Sequence, residues 1–342
     1  MKRFKIIGLM LFLIIGFSRA QVTKVGTTVA NFLLIESGAR AVGMGGAFVA
    51  VAEGPVAMYW NPSGIARADK FSTSFSRSDW LLDLSYNFVG AVLPVGNSGS
   101  LGISAQFLNM DDMQITTEFF PEGVENGYFS AGNYAVGVSY GFRLTDRFSM
   151  GFTGKLIYEY ISQSSATALA MDIGTLYTTE FDGLQIGMSI SNYGTKMQLS
   201  GGDLLIQHDR YDQEGNNPNI NANLATDAYD LPLIFRFGLS WDALKGRNDS
   251  KLLLAVDALV PNNNYQSLNA GVEYVFKNMF SLRGGYNTWY GFGQRDTDDQ
   301  SGLSFGLGLK YSFEVTSVNI DYAYRDYGVL KDIQMFAVRL TF

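Results

Sequence analysis

The chain has 342 residues, of which 38 are glycine, 7 are proline, 14% are aromatic and only 17% are charged, whereas a soluble domain carries about a quarter charged residues. It has no cysteine and a single histidine, His208. This excludes disulfides, thiolate nucleophiles, Cys- or His-cluster metal sites and most histidine general-base chemistry. The formal net charge is −7, an acidic balance that argues against nucleic acid as a partner.

The first twenty residues carry Lys2, Arg3 and Lys5, then an apolar stretch from Ile6 to Phe17, then Ser18-Arg19-Ala20. This is the pattern of a secretory signal peptide, too short for a spanning helix, with cleavage expected near Ala20. Its loss would remove four positive charges and take the net charge to −7 − 4 = −11. Beyond it no run of 18 apolar residues occurs, so no transmembrane helix is expected. An exported, apolar-rich chain without a helical span is accommodated by a closed β-barrel, since in lipid only helices and closed barrels satisfy their own backbone hydrogen bonds.

Residues 21–69 precede the first strand and contain "SGARAVGMGGAFVAVAEGPVAMYWNPSGIA", Ser37 to Ala66. The glycine run is not a nucleotide loop: no buried strand precedes it, no βαβ pattern follows, and the Walker lysine is missing. Small residues (Gly38, Ala39, Ala41, Gly43, Gly45, Gly46 and Ala47) permit close backbone approach, and Asn61-Pro62-Ser63-Gly64 is turn chemistry. The segment could hang in the periplasm or enter the barrel. Its apolar content disfavours exposure, so it is expected in the lumen as a plug or hatch.

From residue 70 onward, period-2 alternation predicts fourteen strands. They lie near 70–78, 83–94, 99–109, 131–142, 147–160, 167–178, 183–192, 232–242, 250–259, 267–276, 279–288, 302–313, 315–326 and 332–342. In 302–313, Leu303, Phe305, Leu307, Leu309, Tyr311 and Phe313 oppose Ser304, Gly306, Gly308, Lys310 and Ser312. Large apolar groups on one face, with small and charged ones on the other, is the transmembrane-barrel pattern. An even count puts both ends of the barrel in the periplasm, with the longer connections 110–130, 193–231 and 289–301 outside and short turns such as 277–278 inside. The charges Lys155, Asp172, Arg236, Asp257, Glu273, Arg283, Lys310, Asp321, Arg325 and Arg339 all fall on the polar phase. They are therefore expected in the lumen, because Lys or Arg on the lipid face costs roughly 2–4 kcal/mol at mid-membrane. The last strand alternates Phe336, Val338, Leu340 and Phe342 against Ala337, Arg339 and Thr341. It resembles the terminal signal read by the barrel-assembly machinery of the outer membrane.

The 37–66 stretch resembles the N-terminal signature of the PorV/PorQ family of FadL-like outer-membrane barrels. The resemblance is carried by Ala39, Arg40, Ala41, Gly43, Gly45, Gly46, Ala47, Trp60, Asn61, Pro62 and Gly64. One departure is that Glu53 alone supplies an acid where relatives often carry paired aspartates. The resemblance implies an all-β, fourteen-stranded antiparallel transmembrane barrel (70–342) with an N-terminal hatch (21–69) inside, seated in the bacterial outer membrane.

For function the resemblance implies an accessory subunit of type IX secretion, which receives cargo by its C-terminal domain at the translocon. The alternative is a FadL-like passive channel for hydrophobic small molecules. No enzyme is expected: the one histidine lies in an acidic loop and no G-x-S-x-G elbow occurs. No cofactor or metal is expected either, since Asp209, Asp212 and Glu214, and Asp296, Asp298 and Asp299, lack EF-hand spacing. Phe119-Phe120 and Trp289-Tyr290 are expected in the interfacial aromatic girdle.

Overall fold

The computed structural model describes residues 26–96, 99–181, 183–209, 217, 219–245, 249–288, 302–328 and 332–342. The signal-peptide stretch, loop 289–301 with Trp289-Tyr290 and Asp296, Asp298 and Asp299, and the loop carboxylates Asp212 and Glu214 lie outside the described residues.

Fourteen antiparallel strands close into a barrel. They are β1 Ser72–Asp79, β2 Ser85–Val95, β3 Gly99–Asn109, β4 Ala131–Arg143, β5 Phe148–Ile161, β6 Ser164–Thr178 and β7 Leu184–Gly194, then β8 Ile234–Asp242, β9 Ser250–Pro261, β10 Ser267–Phe276, β11 Phe280–Thr288, β12 Leu303–Ser312, β13 Ser317–Asp326 and β14 Asp332–Thr341. Each strand pairs with its neighbours in sequence, and the seam is closed by β1 on β14, from Ser72 opposite Thr341 to Asp79 opposite Gln334. Closure leaves no unpaired edge, as a lipid-embedded sheet requires.

The alternation read in the sequence is the alternation of the wall. Val136, Val138 and Tyr140 of β4 and Leu303, Phe305 and Leu307 of β12 point outward and are exposed, while Ser139 and Ser304 between them are buried. Leaving such side chains in water forfeits roughly 1.5–3 kcal/mol each, so this outer surface is a lipid face. Phe336, Val338 and Phe342 lie on it as well. The connections are less regular than expected. Those at 110–130 and 195–233 are long and hold small ladders of their own, such as Leu205–His208 on Ile220–Asn223. Those after β1, β5 and β9 are short, although they lie at the same end. Phe119 and Phe120 are exposed within loop 110–130 rather than on a barrel strand.

The wall has one irregularity. Between β6 and β7 the register slips at Asp172, which stands opposite Ser191 and Asn192. Asn192 takes a positive φ of 66° there and donates its backbone N–H to Asp172 Oδ1 at 2.7 Å. The extra residue makes this a β-bulge, and the buried Lys155 holds it from β5 through an ion pair to Asp172 at 2.8 Å.

Residues 29–66 are almost entirely buried and pack against residues of the polar phase of the wall. The chain starts at the loop end, where Val29 N–H donates to Asp230 and Asn263 donates to Thr28. It descends through a short helix α1 (Ala39–Gly43) and a second, α2 (Ala57–Trp60), to a 3₁₀ turn at Pro62–Arg67. It leaves at the turn end, where Arg143 donates to the Ala66 carbonyl and Lys70 to that of Val315. Proline at the first position and Asn61 as N-cap, its Oδ1 accepting from Ser63 N, explain why the turn starts there.

Candidate functional site

The N-terminal segment and the barrel wall make a dense set of specific contacts. Two kinds of contact hold it: backbone against glycine, and charge against charge.

The backbone contacts explain the small residues on both partners. A Cβ on Gly285 of β11 would lie 2.1 Å from Gly45 N and 2.3 Å from the Met44 carbonyl carbon. On Gly151 of β5 it would lie 2.3 Å from the Pro62 carbonyl carbon, and on Gly174 of β6 2.0 Å from Asn61 Oδ1. Gly43 in turn faces Gly306 of β12: a Cβ on Gly43 would lie 2.9 Å from Gly306 Cα, and one on Gly306 a tight 3.1 Å from Gly43 Cα. Gly45 and Gly46 also have φ of 66° and 75°, the left-handed region that glycine adopts without steric cost. Gly64 is fixed by the Ala52 carbonyl, 2.3 Å from where its Cβ would be.

Asn61 sits at the centre of the lower half. Its Nδ2 donates to the Val49 carbonyl within the segment and to the Thr175 carbonyl of β6, at 3.0 and 2.9 Å. Its Oδ1 accepts from Ser63 Oγ at 2.6 Å. Trp60 donates its indole N–H to the Ser37 carbonyl, and the Trp60 carbonyl accepts from Ser189 Oγ of β7. Arg236 of β8 lies over the rings of Tyr59 and Trp60, 5.5 and 5.6 Å from their centroids. Burial pushes the Tyr59 hydroxyl well above its ordinary pKa.

The charged contacts form a chain across the lumen. Arg40 grips Glu273 of β10 with two parallel bonds, at 2.9 and 2.7 Å, the strongest geometry available to a guanidinium and a carboxylate. Arg283 of β11 donates to the same carboxylate and to Asp321 of β13, at 2.7 and 2.6 Å. Arg40 reaches back to Glu53 at 2.5 Å, which also meets Arg339 of β14 at 3.5 Å. Burial would raise the Glu53 pKa, but Arg40 and Arg339 outweigh it and hold the carboxyl down to about 2. Higher up, Arg325 of β13 meets Glu36 at 2.7 Å. Asp257 of β9 accepts the backbone N–H groups of both Phe48 and Val49 at 2.7 Å.

Most of the polar-phase charges meet the segment or a charge that does. Arg40, Asp257, Glu273, Arg283, Asp321, Arg325 and Arg339 join segment to wall or reinforce a pair that does. Lys155 and Asp172 hold the bulge instead, and Lys310 lines the mouth at the turn end. The sequence reading missed Glu36, Ser37 and Ser189, and it left Glu53 without a partner. A signal existed for the acids. The polar-phase charges plus Arg40 contain more cations than anions, so the segment itself had to supply the difference.

Two cavities flank the segment. At the loop end a space of about 620 Å³ is lined by Val29, Tyr160, Ile161, Met197, Leu199 and Tyr229, among others. At the turn end a more polar space of about 570 Å³ opens below Arg40, Glu53 and Arg67. Among the described residues no cluster of three or more potential metal ligands occurs.

A closed fourteen-stranded barrel with an apolar outer face defines an outer-membrane barrel protein. Solved structures share this fold. The Ralstonia pickettii toluene transporter TbuX superposes with a TM-score of 0.53 at 12% identity, over 91% of this chain and 98% of that one. The Pseudomonas putida toluene transporter TodX gives 0.54 at 10% identity, over 89% and 96%. A Pseudomonas aeruginosa FadL homologue gives 0.51 at 13%, over 96% and 99%. At such identities the likeness is one of fold. The sequence profile of the type IX secretion system protein PorV matches residues 18–233, more than half of the chain, and the chain belongs to the PorV family. No curated protein sequence matches it significantly.

Proposed function

We propose that this protein is an accessory barrel of type IX secretion that handles exported cargo at the extracellular face of the outer membrane. The observation that carries the reading is family membership through residues 18–233, which span the whole N-terminal segment and the long loop 195–231. In this reading residues 21–69 act as a plug that is fastened in place. Their attachment by Arg40–Glu273, Glu36–Arg325 and Asp257 at separate heights of the lumen supports a sealed barrel over a solute path. Phe336, Val338, Leu340 and Phe342 act as the insertion signal for the barrel-assembly machinery, and the outward apolar face contacts outer-membrane lipid. Partners are the type IX translocon and the C-terminal domains of its cargo.

The test is deletion of the gene, followed by comparison of the periplasmic and surface proteomes with the parent strain. Accumulation of proteins bearing type IX C-terminal domains in the periplasm supports the reading, and an unchanged secretome overturns it. A second reading, passage of hydrophobic small molecules, is favoured by the cavity at the loop end, whose walls include Ile161, Met197, Leu199 and Tyr229. It predicts slower uptake of apolar solutes in the deletion strain with secretion intact.

A further inference from the structure

The turn end of the barrel carries a charge pattern that neither reading above uses. By strand parity this end faces the periplasm. Its cavity of about 570 Å³ is roofed by the N-terminal segment and is lined by seven cationic side chains against three acidic ones, in a chain whose net charge is −7. Negative charge is thus spent elsewhere, and the periplasmic mouth is left positive.

Four of these cations, Lys251 of β9, Lys310 of β12, Lys70 and Arg67, have no carboxylate within ion-pair distance among the described residues. Lys70 donates to a neutral acceptor, the Val315 carbonyl. Arg67 is held by two neutral partners, Thr178 Oγ1 and Gln185 Oε1, at 2.9 and 3.3 Å. Its guanidinium pKa is pushed down by burial and by the neighbouring Arg143. Arg339 shares the half-exposed Glu53 carboxylate with Arg40, which is itself paired with Glu273. The rim between these charges is neutral and polar, with Ser72, Gln185, Ser240 and Asn319.

We propose that this mouth is a binding site for a carboxylate-rich peptide segment of a periplasmic protein. The cations stand on the N-terminal segment, β9, β12 and β14, spaced around an opening rather than aimed at one point. A single phosphate would engage few of them, whereas an extended acidic chain reaches successive ones. The rim amides and hydroxyls suit the backbone N–H and C=O groups of such a chain. The volume lies within the range of sites that enclose a ligand of this scale, roughly 300–1,000 Å³. The site is on the opposite face from the loops and is independent of what those loops handle.

The test uses the full-length protein in detergent micelles and a fluorescein-labelled decaglutamate peptide, with binding read by anisotropy. Decaglutamate is expected to bind, with affinity that falls as salt rises, and decaglutamine is not. The double variant Lys251→Gln/Lys310→Gln should weaken binding about tenfold, as loss of charges from one complementary surface does. Lys196→Gln, in the long loop at the other end, should leave it unchanged. Equal binding of both peptides, or an equal effect of Lys196→Gln, overturns the site. Full competition by millimolar inorganic phosphate overturns the peptide and leaves a small-anion site.

Discussion

The contact between the N-terminal segment and the wall can be tested at a single glycine. Replacing Gly285 by alanine places a methyl group 2.1 Å from Gly45 N, 2.3 Å from the Met44 carbonyl carbon and 2.6 Å from Gly45 Cα. Carbon atoms in contact sit about 3.5–4.0 Å apart, so the two backbones must separate by more than about 1 Å. No rotamer change can relieve the clash, because every atom involved is main chain. Overpacking of this kind costs about 1–3 kcal/mol, or roughly a 5- to 150-fold rise in the population with the segment displaced. Gly284, next on the same strand, faces the other way, and a Cβ there meets only Val272 Cγ1 at 3.7 Å. Gly284→Ala is therefore the matched control. Arg40 is a natural reporter, since it is part-buried and held by Glu273, and trypsin is expected to cleave after it only when it is released. We expect faster cleavage at Arg40 in Gly285→Ala than in wild type or Gly284→Ala, with the barrel still folded by heat-shift on a gel. Equal rates in the two variants would refute the account of the glycines as sockets.

Three further outcomes follow from the same contacts. Glu273→Gln removes the shared partner of Arg40 and Arg283 while leaving both guanidiniums buried, which should cost about 3–5 kcal/mol and appear as a lower unfolding midpoint in denaturant. Asn61→Ala loses the donors to Val49 and Thr175 and the cap of the 3₁₀ turn; a loss of about 1–3 kcal/mol should show as faster hydrogen exchange at residues 57–66, and unchanged exchange there would contradict the assignment. The third concerns pH. Glu53 has its pKa lowered from 4.5 to about 2 in the folded protein, so its contribution is complete above about pH 4.5 and is lost as pH falls toward 2. Solvent screening at this half-exposed group keeps the effect small. Hydrogen exchange of residues 47–54, compared between wild type and Glu53→Gln, should differ at pH 6 and converge near pH 2; a constant difference would exclude Glu53 as the titrating group.

Much of the wall was legible because two solvents act on one sheet. Lipid outside and a polar interior impose period 2 on every strand, so the phases of Leu303, Phe305 and Leu307 and of Glu273, Arg283 and Asp321 could be read without a structure. The partners could not, because they are distant in sequence. Arg40 and Glu273 are separated by 233 residues, and Phe48 and Asp257 by 209. The wall glycines were equally opaque. Gly151, Gly174 and Gly285 look like unremarkable small residues on the lumen phase until Pro62, Asn61 and Gly45 are seen against them. The short connections after β1, β5 and β9 escaped the rule of long outer loops, since a turn of two to five residues closes a hairpin at either end of a barrel.

The direction of the N-terminal segment bears on how the protein is assembled. β1 starts at the turn end, yet Thr28 and Val29 lie at the loop end against Asn263 and Asp230. From there the chain runs to the turn end before it begins the wall. Its anchors are spread around the circumference, on β6 through Asn61, on β9 through Asp257, on β10 through Glu273 and on β13 through Arg325. Three of these four anchor strands follow β8, so the full set of anchors exists only once the later strands are in place. The last pairing, β14 on β1, closes the only remaining edge. Docking before closure lets the segment enter sideways, while docking after it requires residues 28–60 to thread upward from the turn end. Gly285→Ala separates these orders. If the segment must dock before the seam closes, the variant slows formation of the closed barrel; if it threads afterwards, the barrel closes at the wild-type rate and only protection of Arg40 is delayed.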